Sequence, residues 1–123
     1  MPSYDVRAAS LALDVPYAAL DVLLARHDIV GVSKGGQGVA RRIHDDGLLR
    51  LAIALQIQPV IGSDTRSALH LAEQLVSAGG VLAEGPLEIR VDLAAVRSAL
   101  MARMSDVVER VVPVRRGRPP SPR

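Results

Sequence analysis

Apolar residues recur along much of the chain at spacings of three and four, which is the pattern of amphipathic helices. The first run, Val6–Leu13, follows Asp5, a residue type that caps helix N-termini. Residues 14–16 interrupt the pattern, and their proline suits the start of a second helix, Tyr17–Arg26. The apolar face of that second helix comprises Leu20, Leu23 and Leu24. Two short helices joined by about three residues predict a helix-turn-helix.

A glycine-rich segment with β-prone flanks follows the two helices. Residues 29–32 and 39–43 contain valine and isoleucine, and the segment between them, 33–38, is half glycine. This pattern predicts a β-hairpin that forms a basic wing, because it carries Lys34, Arg41 and Arg42 and no acid. A nucleotide-binding loop is excluded, because its lysine follows the glycines and opens a helix, whereas Lys34 precedes them.

Two further helices and a second hairpin are predicted downstream. We expect His44 or Asp45 to cap a helix that runs to about residue 57, and Ser63 or Asp64 to open another that ends at residues 79–80. Their inward stripes are Leu48, Leu51, Ala52 and Leu55 in the first and Ala68, Leu69, Ala72, Leu75 and Val76 in the second. Residues 81–84 and 87–91, around a Gly-Pro turn, predict the second hairpin.

The last predicted helix begins after Asp92 and has a regular apolar seam. The seam residues recur at spacings of 3, 4, 4, 3 and 4 and are Leu93, Val96, Leu100, Met104, Val107 and Val111. This spacing is typical of a coiled-coil contact, and it favours a homodimer interface because large apolar residues are scarce elsewhere in the chain. The alternative is that the helix packs on its own domain.

Composition changes this picture mainly through charge. The chain has 123 residues, 49% of them apolar, which is enough for one globular domain. Residues 1–109 hold all 13 acids and 10 bases, whereas residues 110–123 hold five arginines and no acid. We therefore expect a winged helix-turn-helix over residues 1–78, the second hairpin and a dimerisation helix over 79–112, and a disordered basic tail over 113–123. The predicted fold class is mainly α with small β-hairpins.

The basic tail contains Arg115-Arg116-Gly117-Arg118-Pro119, whose Arg-Gly-Arg-Pro core resembles an AT-hook. Glycine permits close approach to the floor of the minor groove, and arginine favours the negative potential of a narrow A-tract. A generic basic tail is the alternative. An acidic body with a basic end indicates a polyanionic partner, with nucleic acid ahead of membrane.

Several chemistries have no support in the sequence. The chain has no cysteine, which excludes disulfides and thiolate metal sites. Its longest uncharged stretch, residues 51–63, is shorter than the roughly 20 apolar residues of a membrane span. His44-Asp45-Asp46 is more typical of a helix start than of a metal site, and no serine lies in a nucleophile-elbow sequence. We therefore expect no enzyme activity, no metal, no cofactor and no small-molecule effector.

The order of the predicted elements resembles the N-terminal DNA-binding domain of the MerR family and the related phage excisionase-like proteins. The positions that carry the resemblance are Tyr4-Asp5-Val6, Ala9, Asp14-Val15-Pro16, Leu20, Arg41 and Leu48. They fall where that family has its opening Tyr-x-Ile, first-helix alanine, Gly-Val-Ser turn, recognition-helix leucine, wing arginine and next-helix leucine. The resemblance covers roughly residues 4–76 and implies double-stranded DNA as the partner.

The second helix departs from that family's pattern. The family has arginine near the positions of Ala18 and Asp21 and aromatic residues near those of Val22 and Leu23. A carboxylate at Asp21 would repel phosphate if it faced DNA. The family's long effector-sensing extension and metal-sensing cysteines have no counterpart here. The candidate DNA contacts are Tyr17, Arg26, Lys34, Arg41, Arg42, Arg115, Arg116, Gly117 and Arg118.

The sequence thus favours a sequence-specific DNA-binding transcriptional regulator that is homodimeric, cytoplasmic and associated with the nucleoid. Two alternatives stay open. One is a protein-interaction adaptor, phage or antitoxin-like, that keeps the fold without reading DNA. The other is a nucleoid architectural protein that binds DNA without sequence preference.

Overall fold

The structure is a computed structural model that describes residues 3–35 and 40–116. Several of its helices begin at a residue whose side chain caps the helix N-terminus. The helices of these residues are α1 (Val6–Leu13), α2 (Tyr17–Arg26), α3 (Asp45–Ile61), α4 (Thr65–Ser77) and α5 (Leu93–Arg116). Asp5 caps α1 by accepting a hydrogen bond of 2.8 Å from the backbone N–H of Ala8. Asp92 caps α5 in the same way at 3.1 Å. The bounds predicted for α1 and α2 are confirmed.

Two small antiparallel sheets complete the fold of the described residues. The first has the strand order β1-β3-β2 and the second pairs β4 with β5. Their bounds are Ser3–Tyr4 for β1, Val32–Ser33 for β2, Arg42–His44 for β3, Val81–Glu84 for β4 and Leu87–Arg90 for β5. The β2–β3 pair confirms the first predicted hairpin, with shorter strands than expected. Strand β1 was not predicted, because two residues are too few to show a β periodicity.

A close backbone approach fixes the first sheet against the start of α3. Gly31 has φ +92°, and a Cβ built on it would lie 2.1 Å from the backbone nitrogen of Gly47. Gly31 also accepts a hydrogen bond of 2.8 Å from the backbone N–H of His44. Glycine is required here both for the positive φ and for the contact distance.

Helix α3 forms the centre of the hydrophobic core. Its residues 47–54 are all buried, whereas the sequence pattern predicted a single apolar stripe. The reason is that α3 has packing partners on several sides, since α4, α5 and β3 all contact it. A helix surrounded in this way is buried on most sides, and its one buried charge, Arg50, is paired with Glu73 of α4.

The seam of α5 packs within the chain, against α1 and α3. Leu100, Met104 and Val107 are buried, with at most 5% of their surface exposed, and Leu93 and Val96 are partly buried against the same core. A side chain buried in its own domain cannot also face a second copy. The alternative of packing on the same domain is therefore the observed one for these residues, and a homodimer of the chain stays a prediction.

Two helices extend beyond the prolines that were expected to end them. The helix α3 runs through Pro59 to Ile61, and α5 runs through Pro113 to Arg116. Proline removes one N–H donor, but its fixed φ is close to the helical value, so a helix continues when the remaining hydrogen bonds hold it. The ordered helix therefore includes the first four residues of the predicted disordered tail, and residues 117–123 lie outside the described residues.

Candidate nucleic-acid interface

A three-residue turn sets the angle between α1 and α2. Asp14 lies in the left-handed region, at φ 58° and ψ 47°, a conformation that aspartate tolerates better than most residues. The backbone N–H of Val15 donates to the carbonyl of Ser10 at 3.0 Å. Pro16 is extended and immediately precedes α2. The chain bends by 113° between the two helices, which leaves one side of α2 open to solvent.

The buried and exposed sides of α2 differ in chemistry. Leu20 and Leu24 are buried and hold the helix to the core. The exposed residues are Tyr17, Ala18, Ala19, Val22, Ala25 and Arg26. Aliphatic groups therefore cover the middle of the exposed side, and the polar side chains lie at its two ends. The sequence-predicted residues Tyr17 and Arg26 are both accessible.

Arg7 on α1 extends this surface and was not among the residues predicted from the sequence. Its guanidinium carbon lies 5.0 Å from the centre of the Tyr17 ring, within the range of a cation–π contact. Arg7 and Tyr17 are both exposed. The sequence shows that Arg7 lies on the polar face of α1. Its contact with Tyr17, ten residues away, forms only when the two helices pack together.

The three cations of the β2–β3 pair are engaged by other groups of the chain. Lys34 Nζ lies 2.6 Å from a carboxylate oxygen of Asp28. Arg42 donates from Nη2 to the backbone carbonyl of Ser3 at 2.9 Å and from Nε to its hydroxyl at 3.1 Å, which ties β3 to β1. Asp28 offsets the charge of Lys34, whereas Arg42 keeps its positive charge and only has donors engaged by Ser3.

Arg41 forms an ion pair with Asp21 of α2, with Nη1 3.3 Å from Oδ1. The two side chains are 30% and 46% exposed, so water screens the pair and its contribution to stability is small. The pair has a second consequence: it offsets the negative charge of Asp21 beside the open side of α2. The expected repulsion of phosphate by Asp21 is correspondingly weakened.

Three clefts lie along α2, and neighbouring clefts share wall residues. The first, about 420 Å³, lies between the Arg7–Tyr17 contact and Arg41. Arg41 also lines the second cleft, which in turn shares residues 27–30 with the third. Acids along these clefts are engaged: Asp21, Asp28 and Glu73 are ion-paired, and Asp5 caps α1. The cations along the clefts that have no ion pair within the described residues are Arg7, Arg26 and Arg66.

The remaining sequence-predicted contacts are at the chain's C-terminal end. The backbone of Arg115 and Arg116 is part of α5, but their side chains are not described. Gly117 and Arg118 lie outside the described residues. The side chain of Val111 in the predicted seam is outside them as well.

Comparison with protein-family models, with curated proteins and with solved structures gives no match to this chain. Over the described ranges, no single helix has both the length and the hydropathy of a membrane span; α1 and α2 reach them only together, across their 113° bend. Within the same ranges, no three potential metal ligands cluster.

Proposed function

We propose that the chain is a winged helix-turn-helix protein that binds double-stranded DNA, with α2 as its recognition helix and the β2–β3 pair as its wing. The observation that carries this proposal is the 113° bend between α1 and α2 across three residues. Helix-turn-helix pairs bend by about 90–120° over turns of this length. The β2–β3 pair lies beside α2, joined to it by the ion pair of Arg41 and Asp21.

Affinity for the duplex comes from unpaired cations at the ends of α2. Arg7 and Arg26 are exposed on either side of the aliphatic surface and are suited to contact phosphates of the two strands that border a groove. The arginines of the C-terminal segment add positive charge on the same chain, a contribution that rests on the sequence alone. Phosphate contacts of this kind make binding dependent on salt.

Sequence preference comes from the aliphatic middle of α2. Ala18, Ala19, Val22 and Ala25 offer methyl groups and no hydrogen-bonding side chain. The feature of the major groove that such residues recognise is the C5-methyl group of thymine. We therefore assign the chain a preference for sites with thymines in the central major groove, as expected of a transcriptional regulator in the nucleoid. A homodimer on DNA would need a surface other than the α5 seam.

The test is fluorescence anisotropy with a labelled duplex selected from a random pool, measured over a series of salt concentrations. Arg7→Gln and Arg26→Gln should each reduce the salt slope by about 1, because each removes one phosphate contact. Arg97→Gln is the matched control, since Arg97 is exposed on α5 away from the clefts. Replacing thymine by uracil removes only the methyl group and should weaken binding about fourfold for each methyl contacted.

These measurements separate three outcomes. Unchanged slopes in both arginine variants would contradict the assigned DNA surface. Equal affinity for thymine and uracil duplexes, with reduced slopes, would leave DNA binding intact and remove the assigned readout. Binding without sequence selection, but with an A-tract preferred over a mixed duplex, would instead favour an architectural protein.

A protein-interaction adaptor is the second candidate, and one observation favours it. The open side of α2 is mostly aliphatic, with Val22 49% exposed, and such a surface also suits a protein partner. The adaptor predicts that the duplex is not retained even at low salt. Retention at low salt that is lost in Arg7→Gln would exclude it.

A further inference from the structure

A polar cleft lies on the far side of α2 from the Arg7–Tyr17 contact. It has a volume of about 380 Å³ and is enclosed by the end of α2, the loop that follows it, α3 and α4. Its charged and imidazole-bearing wall residues are Arg26, His27, Asp28, Arg50, Arg66, His70 and Glu73. Three guanidinium groups and two imidazoles on four segments of the chain thus face one space.

The floor of the cleft is an ion pair between α3 and α4 that is buried on the Arg50 side and 39% exposed at Glu73. The Arg50 side chain is only 11% exposed, and its Nε donates to a carboxylate oxygen of Glu73. Its Nη1 donates to the backbone carbonyl of Asp46 at 3.1 Å. Glu73 also accepts from the hydroxyl of Ser77 at 3.0 Å. The hydrogen bond from Arg50 holds the pKa of Glu73 below its ordinary value, so this carboxylate is ionised and its charge is offset by Arg50.

The rim of the cleft has guanidinium groups whose N–H donors are not used by other described residues. Arg26 and Arg66 have neither a hydrogen bond nor an ion pair within the described residues, and both are exposed. Asp28 pairs with Lys34 at 2.6 Å, and Asp64 caps α4 by accepting from the backbone N–H of Ser67 at 2.8 Å while it also attracts Arg66 electrostatically. The free hydrogen-bonding capacity of the rim is therefore cationic.

We propose that this cleft binds a phosphate-class oxyanion between the guanidinium groups of Arg26 and Arg66, above the Arg50–Glu73 pair. Planar guanidiniums bind phosphate oxygens in a bidentate manner, and two of them on separate helices hold one anion from both sides. Because Arg50 offsets the charge of Glu73, the pair below the anion does not repel it. The anion is either a free small phosphate or a backbone phosphate of a duplex.

Arg26 on α2 is also assigned a DNA contact, whereas Arg66 on α4 is not, so Arg66→Gln tests the anion site separately from DNA recognition by α2. The first experiment titrates inorganic phosphate into the full-length protein at constant ionic strength, with chloride as the balancing anion, and follows backbone amide shifts by NMR. Saturable shifts should appear at the residues of the cleft walls. Arg66→Gln should lower the phosphate affinity about tenfold, and Arg97→Gln should leave it unchanged.

The second experiment distinguishes the source of the phosphate by measuring duplex affinity for the same two variants. Saturable phosphate binding with unchanged duplex affinity in Arg66→Gln supports a free small anion. Duplex affinity that falls in Arg66→Gln and not in Arg97→Gln supports a backbone phosphate. The proposal is overturned if inorganic phosphate does not bind and Arg66→Gln has no selective effect on duplex affinity. It is also overturned if the phosphate-induced shifts are equal in Arg66→Gln and Arg97→Gln. None of these results requires the DNA proposal for α2 to hold.

Discussion

Leu100 provides a direct test of whether the α5 seam is a core or an interface. Its side chain is 3% exposed and packs in the core that α5 forms with α1 and α3. Leu100→Ala removes three buried carbon atoms, at about 0.8 kcal/mol each, and leaves a partial cavity. We expect the free energy of unfolding to fall by about 3 kcal/mol. The neighbouring Met101 is 41% exposed, so Met101→Ala should cost less than about 1 kcal/mol.

The assay is urea unfolding followed by circular dichroism, repeated at two protein concentrations. A seam packed within the chain predicts midpoints that do not depend on concentration in the wild type or in either variant. An interface between copies predicts the opposite, because association stabilises a dimer by mass action. The reasoning is refuted if Leu100→Ala costs less than about 1 kcal/mol, or if the wild-type midpoint rises with concentration and this dependence is lost in Leu100→Ala.

Two further predictions concern the fold around the proposed sites. Gly31→Ala should prevent folding or cost more than about 3 kcal/mol in thermal or urea unfolding, because φ is +92° and the new Cβ would lie 2.1 Å from the Gly47 nitrogen. The matched control is Gly62→Ala, at φ +63° with no atom within 4 Å, which should cost only about 1 kcal/mol. The pKa of Glu73 is lowered by its hydrogen bond from Arg50, so its contribution to stability is present above the ordinary pKa of 4.5 and lost as the pH falls through the lower folded value. Glu73→Gln should therefore flatten the dependence of the urea midpoint on pH below 4.5, and an unchanged dependence would contradict the assigned ion pair.

The candidate site shows where sequence patterns succeed and where they stop. Tyr17 and Arg26 were predicted as DNA contacts, and both are exposed on α2, as such a contact requires. Lys34 and Arg41 were predicted as free wing cations, and each is ion-paired with an acid. The pairing between Arg41 and Asp21 spans 20 positions, so no local pattern reveals it. Arg7 was missed for the same reason.

By itself, the sequence determined the local elements. Asp5 and residues 14–16 set the ends of α1 and the start of α2, because caps and turns depend on groups within a few residues of each other. The tertiary structure alone decided what covers the apolar face of α5, which strands pair with β3 and which cations stay free of ion pairs. Those outcomes depend on groups far apart in the chain, whose distances are fixed only when the helices pack around α3.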